Sequence, residues 1–309
     1  MLRHFLRDDD LSPAEQAEII DLAITLKSDR FGSKSFAGPQ SVALIFDKPS
    51  TRTRASFSVA VTELGGAPLV IDSATSQLGS DESVADTARV LDRQVAMIIW
   101  RTFAQAGLEQ MAANSKVPVI NGLSDEFHPC QLLADLMTIR EKLGSLQGKV
   151  LCYIGDASNN MAHSYLLAGA TAGMKIRVAG PGKYQPNKTV LAKAQEIAAT
   201  TGGSISTYTD PKLALVDSDV VATDTWISMG QQDQKTQRLE DFVGYRLDKE
   251  LLALAKPGAM VLHCLPAYRG LEITDDVLDG PQSIVWDQAE NRLHAQKALM
   301  VWLAERAKA

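Results

Sequence analysis

Ser50-Thr51-Arg52-Thr53-Arg54 places three hydroxyls and two guanidinium groups on one turn, directly after the apolar run Ser41-Val42-Ala43-Leu44-Ile45-Phe46. The run reads as a buried strand. The carboxyl end of such a strand, followed by a helix N-terminus, is a ready anion site, because unpaired backbone N–H groups and the helix dipole face it together. Hydroxyls and N–H groups there can receive phosphate oxygens, while Arg52 adds a planar two-pronged cation that lysine would not match. A capped helix start with solvated arginines would look the same. The neighbouring strand ends therefore decide. The apolar residues 95–100 run into Arg101-Thr102, a second guanidinium at a strand end. Residues 117–121 lead to Glu126-Phe127-His128-Pro129-Cys130-Gln131, where Pro129 can open a helix. His128 can donate to a carbonyl oxygen, and Gln131 can donate and accept.

The second half repeats the arrangement with other chemistry. Gly155-Asp156-Ala157-Ser158-Asn159-Asn160 follows one strand-like run, Thr223-Asp224-Thr225-Trp226-Ile227-Ser228-Met229-Gly230 another, and His263-Cys264-Leu265-Pro266 a third. Asp224 suits an ammonium counter-ion, and Asn160 and Ser228 suit the carboxylate and amine of an amino acid. Each also has a plain structural role open to it: Asn160 as a helix cap, Asp224 as a turn former, Cys264 as core filler. Cationic and neutral donors in one half, and an acid with amides and hydroxyls in the other, fit a two-substrate group transfer.

These residues need a scaffold. At 309 residues the chain exceeds one ordinary domain, and 45% hydrophobic with 22% charged residues suffices for sizeable cores. β-Branched runs alternate with helical stretches (83–93, 131–142, 160–172, 189–200), the pattern of βαβ units and parallel sheets. The expected fold is α/β: two doubly wound parallel-sheet domains with an active-site cleft between them, and a C-terminal helix packing back on the first. The expected boundaries are residues 1–142 with the helix 288–309, and residues 148–287, joined through the polar segment 141–148. The net charge of −6 argues against general nucleic-acid affinity. The segment MLRHFLRDDD has no signal-peptide core, and no run would span a bilayer, so a cytoplasmic protein is expected. Three cysteines (Cys130, Cys152, Cys264) do not make a disulfide framework, and Cys152 reads as core.

The motifs occur in the order found in ornithine carbamoyltransferases, and the sequence resembles that family over essentially its whole length. The resemblance rests on Ser50-Thr51-Arg52-Thr53-Arg54, His128-Pro129-Cys130-Gln131, Asp224 with Ser228-Met229-Gly230, and His263-Cys264-Leu265-Pro266. Aspartate carbamoyltransferases share the first motif but have HPLPR at the last, and supply a lysine from the loop corresponding to Ser76-Gln77-Leu78-Gly79. The resemblance implies transfer of a carbamoyl group from carbamoyl phosphate to the side-chain amine of L-ornithine, without cofactor or metal. It implies carbamoyl-phosphate contacts at Ser50, Thr51, Arg52, Thr53, Gln77, Arg101, His128, Gln131, Cys264, Leu265 and Arg292. Ornithine contacts would be Asn160, Asp224, Ser228 and Met229, with Arg101, His128, Asp224 and Cys264 as the catalytic set. It also implies a homotrimer in which Gln77 reaches a neighbour's site. Three other readings compete, one of them a non-catalytic interaction protein, against which the intact polar clusters count. A zinc hydrolase would use His128, Cys130, His263 and Cys264, which lack the usual chelating spacings. A nicotinamide oxidoreductase would need dinucleotide-fingerprint glycines that the 155–160 turn lacks.

Overall fold

A computed structural model of the chain describes residues 2–72, 82–228 and 230–308. The first half runs α1 (Pro13–Ser28), β1 (Ser41–Phe46), α2 (Thr51–Glu63), β2 (Ala67–Asp72), α3 (Val84–Leu91), β3 (Met97–Arg101), α4 (Gln105–Asn114), β4 (Val119–Leu123) and α5 (Pro129–Leu143). The second half opens with β5 (Val150–Ile154), α6 (Asn160–Thr171), β6 (Lys175–Ala179), α7 (Lys188–Thr201), β7 (Ser204–Tyr208) and α8 (Pro211–Leu215). It closes with β8 (Val220–Thr223), α9 (Lys235–Asp241), α10 (Lys249–Leu252), β9 (Met260–His263), α11 (Asp275–Leu278) and α12 (Val285–Lys308). The chain divides into two compact units, Met1–Met137 with Asn291–Ala309, and Thr138–Glu290. The divisions fall inside α5 and α12, the former upstream of the polar segment 141–148.

All strands pair in parallel, in the order β2-β1-β3-β4 in the first unit and β7-β6-β5-β8-β9 in the second. Each order reverses direction once, between β1 and β3 and between β5 and β8. Loops leaving the carboxyl ends on either side of such a reversal diverge and open a crevice, where open α/β sheets bind ligands. The loops at these two points begin with residues 47–50 and 102–104 in one unit, and 155–159 and 224–228 in the other. Topology thus selects the polar clusters that composition alone could not separate from ordinary turns.

Sequence pattern locates the strands within two residues. The offsets have local causes. Val95 donates its N–H to Leu91 O at 3.0 Å and so closes α3 instead of opening β3. The register also slips at the end of β4, where Trp100 pairs with Asn121 but Arg101 with Leu123, so the strand runs past residue 121. Both sheets are apolar through their middles. Ala43, Ile45, Ile98, Trp100 and Val119 anchor one core, and Cys152, Ile154, Ala179, Val221 and Val261 anchor the other.

Two buried charges fix α12 against α2. Lys297 has a fully buried side chain, donates to Arg30 O at 2.7 Å, and pairs with the carboxylate of Glu63, the last residue of α2. Arg30 Nε reaches the same carboxylate at 2.7 Å. Against the upward push of burial, the hydrogen bonds from Arg30 and Lys297 hold the Glu63 carboxyl below its ordinary value. Removing one partner of a buried pair costs about 3–5 kcal/mol, because the other is left uncompensated. Lys297→Ala is therefore expected to lower unfolding free energy by about that amount in denaturant titrations at neutral pH. Because the folded pKa is depressed, the pair's stabilisation is present above the unfolded value and lost as pH falls through the folded one. The difference between variant and parent should accordingly narrow in acid, and a pH-independent difference would contradict the assignment.

Candidate active site

In the first unit the site starts from the cap of α2. Ser50 Oγ accepts the Thr53 N–H at 3.3 Å, which turns the chain from β1 into α2 and sets Thr51, Arg52 and Thr53 on the first helical turn. Thr51 and Arg52 are exposed, and Thr53 is buried. Arg101 ends β3 beside Phe46. Its Nη1 reaches Thr53 Oγ1 at 3.4 Å, and Arg292 Nη2 reaches the same oxygen at 3.5 Å. Arg292 Nη1 donates to Gln131 Oε1 at 2.5 Å, and Gln131 Nε2 to Asp135 Oδ1 at 2.8 Å. With its amide oxygen facing Arg292, Gln296 accepts from Nε and Nη2 at 3.0 and 2.8 Å. Four of the expected contacts (Thr53, Arg101, Gln131, Arg292) therefore form one buried cluster. Arg54 points elsewhere. It pairs with Asp72 at 3.2 Å and lies over the Phe46 ring, so the two arginines of this turn differ in their side-chain partners.

His128 precedes α5, its carbonyl accepting the Gln131 N–H at 3.0 Å. Burial first, then the charges of Arg292, Arg101 and Lys48, push its pKa well below the ordinary imidazole value. The ring is thus neutral at neutral pH and can donate a hydrogen bond without adding charge. Lys48 is a member of this cationic set that motif reading missed. It is buried, pairs with Asp125, and lies 4.4 Å from the Phe103 ring centre. Cys130 does not belong with the chemistry: its Sγ faces Asn121 O at 3.3 Å, and burial pushes its thiol up to about 12.

In the second unit, strand register makes the neighbours. Thr223 pairs with both Ile154 and His263, so Asp224 and Cys264 leave adjacent strands side by side. Cys264 Sγ donates to Asp224 Oδ1 at 3.1 Å. Burial raises the Asp224 pKa, opposed by His263, the Cys264 thiol and the Thr225 N–H. His263 accepts the Leu265 N–H on Nδ1 at 2.9 Å and presents Nε2 to Glu272 Oε1 at 3.1 Å. Among the described residues Asp224, His263 and Cys264 bring one ligating atom each within 4.8 Å. Both His263 nitrogens are already committed, so a metal would have to displace a hydrogen bond. Cys130, the second thiol of the zinc reading, is turned to the backbone carbonyl of Asn121.

The 155–160 turn needs glycine at its first position, where φ is +132°. Asp156 then accepts from Ser158 N and Oγ at 3.0 and 2.5 Å and pairs with Arg238 Nη1 at 2.6 Å, both side chains buried. Arg238 also donates to Trp226 O at 2.9 Å, tying the 155–160 turn to the loop after β8. Arg238 lies in the polar stretch Gln231–Asp241, which carries no signal that one of its charges is buried. The cap of α6 is Asn159, whose Oδ1 accepts the Ala162 N–H at 2.8 Å. Asn160 is the first helical residue and half-buried, so the capping role open to it in sequence is filled by its neighbour. Ser228 follows β8 by five residues, its N–H on Gln231 Oε1 at 3.1 Å. Gln77 and Met229 lie outside the described residues.

Residues 3–141 match the family model for the aspartate/ornithine carbamoyltransferase carbamoyl-P binding domain, and residues 147–303 that for its Asp/Orn binding domain. The chain is similar to the ornithine carbamoyltransferase of Clavibacter sepedonicus, 61% identical over 98% of this chain and 99% of that protein. Among solved structures it resembles the ornithine carbamoyltransferase of Pyrococcus furiosus, with a TM-score of 0.93 and 46% identity over 96% of each chain. It also resembles the anabolic enzyme of Campylobacter jejuni, with a TM-score of 0.93 and 38% identity over 99% of this chain and 100% of that one.

The depressed His128 pKa has a measurable sign. The unfolded chain takes up the proton near pH 6.5 while the folded one does not, so the contribution is present above that value and lost as pH falls below it. Unfolding free energy should decline by up to about 1.4 kcal/mol per pH unit from this group. His128→Gln should flatten the slope between pH 6.5 and 5 by about one proton's worth. Parallel pH–stability curves for parent and variant would show that the imidazole titrates normally.

Proposed function

The chain belongs to the aspartate/ornithine carbamoyltransferase family, and from that premise we propose how its residues carry out the reaction. The protein is an enzyme that transfers the carbamoyl group of carbamoyl phosphate to L-ornithine, giving L-citrulline and phosphate. The observation that carries the residue assignment is the division of chemistry: buried cations with a neutral imidazole in one unit, and a buried acid–thiol pair in the other. Ser50, Thr51, Arg52, Thr53, Arg101, His128, Gln131 and Arg292 hold carbamoyl phosphate, joined by Cys264 and Leu265. Asn160, Asp224, Ser228 and Met229 hold ornithine.

The ornithine side-chain amine, with a free pKa near lysine's at about 10.4, must lose a proton before it can attack. Asp224 recognises the ammonium form, which gives up its first proton to solvent as the site fills, and with Cys264 it orients the nitrogen. The neutral amine then adds to the carbonyl carbon, forming a C–N bond and moving an electron pair onto the carbonyl oxygen. Arg101 and His128 stabilise that oxyanion as preorganised donors. When the pair returns, the C–O bond to phosphate breaks. The leaving phosphate takes the amine's remaining extra proton, so no separate strong base is required. His128 suits the step because it is neutral: it donates to the oxyanion and cannot surrender a formal charge to the phosphate.

We infer further that the enzyme is a homotrimer working in the cytoplasm, in arginine synthesis. Val59 on α2 and Leu69 and Val70 on the edge strand β2 are 40, 43 and 38% exposed, apolar surface that a second copy would cover. β2 leads into the segment carrying Gln77, which would complete a neighbour's site. The three cysteines are free thiols, in keeping with a reducing compartment, and resemblance to the anabolic Campylobacter enzyme supports the biosynthetic direction.

Purified protein should form citrulline from ornithine and give little or no product with N-acetylornithine, putrescine or aspartate. Light scattering of the same preparation should give three chains per particle. Asp224→Asn should raise the ornithine KM at least tenfold, the worth of about 1.5–3 kcal/mol for a charged hydrogen bond, and leave the carbamoyl-phosphate Kd nearly unchanged. Equal loss of affinity for both substrates would make Asp224 a structural residue instead.

A further inference from the structure

Tyr153 is wholly buried at the next-to-last position of β5, yet its hydroxyl is not idle. Asn159 Nδ2 donates to Tyr153 Oη at 2.9 Å, while Oδ1 of the same amide accepts the Ala162 N–H at 2.8 Å. Both ends of the Asn159 side chain are therefore committed, one to the strand that leads into the turn and one to the helix that leaves it. The amide plane is held, and with it the entry of the chain into α6. The next residue is Asn160.

We propose that Tyr153 is a positioning residue for the amino-acid acceptor. Its hydroxyl locks the Asn159 cap, and the cap sets the first turn of α6 from which Asn160 meets ornithine. The inference rests on the reading of Asn160 as an ornithine contact. The electrostatics agree with it: burial, then the charges of Asp224 and Asp156, push the Tyr153 hydroxyl well above the ordinary phenol value. The group stays a neutral oxygen that can accept from Asn159 across the working pH range, and no phenolate competes with Asp224 for the substrate's ammonium. A phenylalanine would fill the same space and keep the ring contact with Tyr165, whose centroid is 5.6 Å away. The hydroxyl is thus the part that packing alone does not require.

Two variants test this. Tyr153→Phe removes the acceptor and keeps the ring. Asn159→Ser keeps a capping oxygen and removes the donor. Each should raise the ornithine KM about 3–10-fold, the worth of one neutral hydrogen bond, with the calorimetric Kd for carbamoyl phosphate within about twofold of the parent. The double variant should be no worse than the poorer single, because the two changes delete halves of one interaction. An unchanged ornithine KM in Tyr153→Phe, equal loss for both substrates, or additive effects would each overturn the proposal. The parent enzyme is the control for the site reading itself: if it makes no citrulline from ornithine, that reading fails and takes this inference with it.

Discussion

Two guanidinium groups share one threonine hydroxyl. Arg101 and Arg292 both reach Thr53 Oγ1 from buried positions, with buried Lys48 contributing to the same field. Taking a cation out of water costs several kcal/mol, and placing cations side by side adds repulsion. The first unit is organised around meeting that cost. Gln131 and Gln296 occupy the donors of Arg292, Ser50 fixes the helix that carries Thr53, and the Lys297–Glu63 pair sets the register of the helix that carries Arg292. On the proposed assignment, an arriving phosphate dianion offsets what remains. His128 is kept neutral first by its burial and then by the same field, since Arg292, Arg101 and Lys48 oppose a fourth positive charge.

The second unit poses the opposite problem. Asp224 is buried where burial favours its protonated form, and a thiol, an imidazole and a backbone N–H hold it toward ionisation. A carboxylate so placed gains most from a cationic partner, and on the proposed assignment ornithine supplies one. The proposed assignment segregates acidic and basic residues by substrate, which would let one ligand carry a doubly negative phosphate and the other an ammonium without either site attracting the wrong partner. Neither Asp224 nor His128 is placed as a strong base, which is why the leaving phosphate is assigned the proton.

Much of this was legible in the sequence, for a topological reason. Parallel sheets send every strand's carboxyl end to one edge, so a polar cluster after an apolar run is already located. Ser50–Thr53, Arg101, His128, Asp224 and Cys264 are readable on that basis. Arg292 is not: it sits on a long C-terminal helix, 239 residues from Thr53, and no local pattern marks it. Family resemblance alone brings it in. Arg52 and Arg54 have identical chemistry two residues apart, and only the pairing of Arg54 with Asp72 distinguishes them. Asn159 and Asn160 could not be separated into cap and contact until the helix start was known. Arg238, Lys48 and Tyr153 were missed because each acts through a partner distant in sequence, and a buried charge in a polar stretch looks like any solvated one.

The central claim is that the buried cations of the first unit are held for a phosphate group. The most direct test is the unfolding free energy measured against inorganic phosphate concentration, with chloride at matched ionic strength as the reference. Binding to the folded state alone should raise stability by about 1.4 kcal/mol for each tenfold increase above the dissociation constant, and Arg292→Gln should flatten that rise. A phosphate curve that coincides with the chloride curve would contradict the claim.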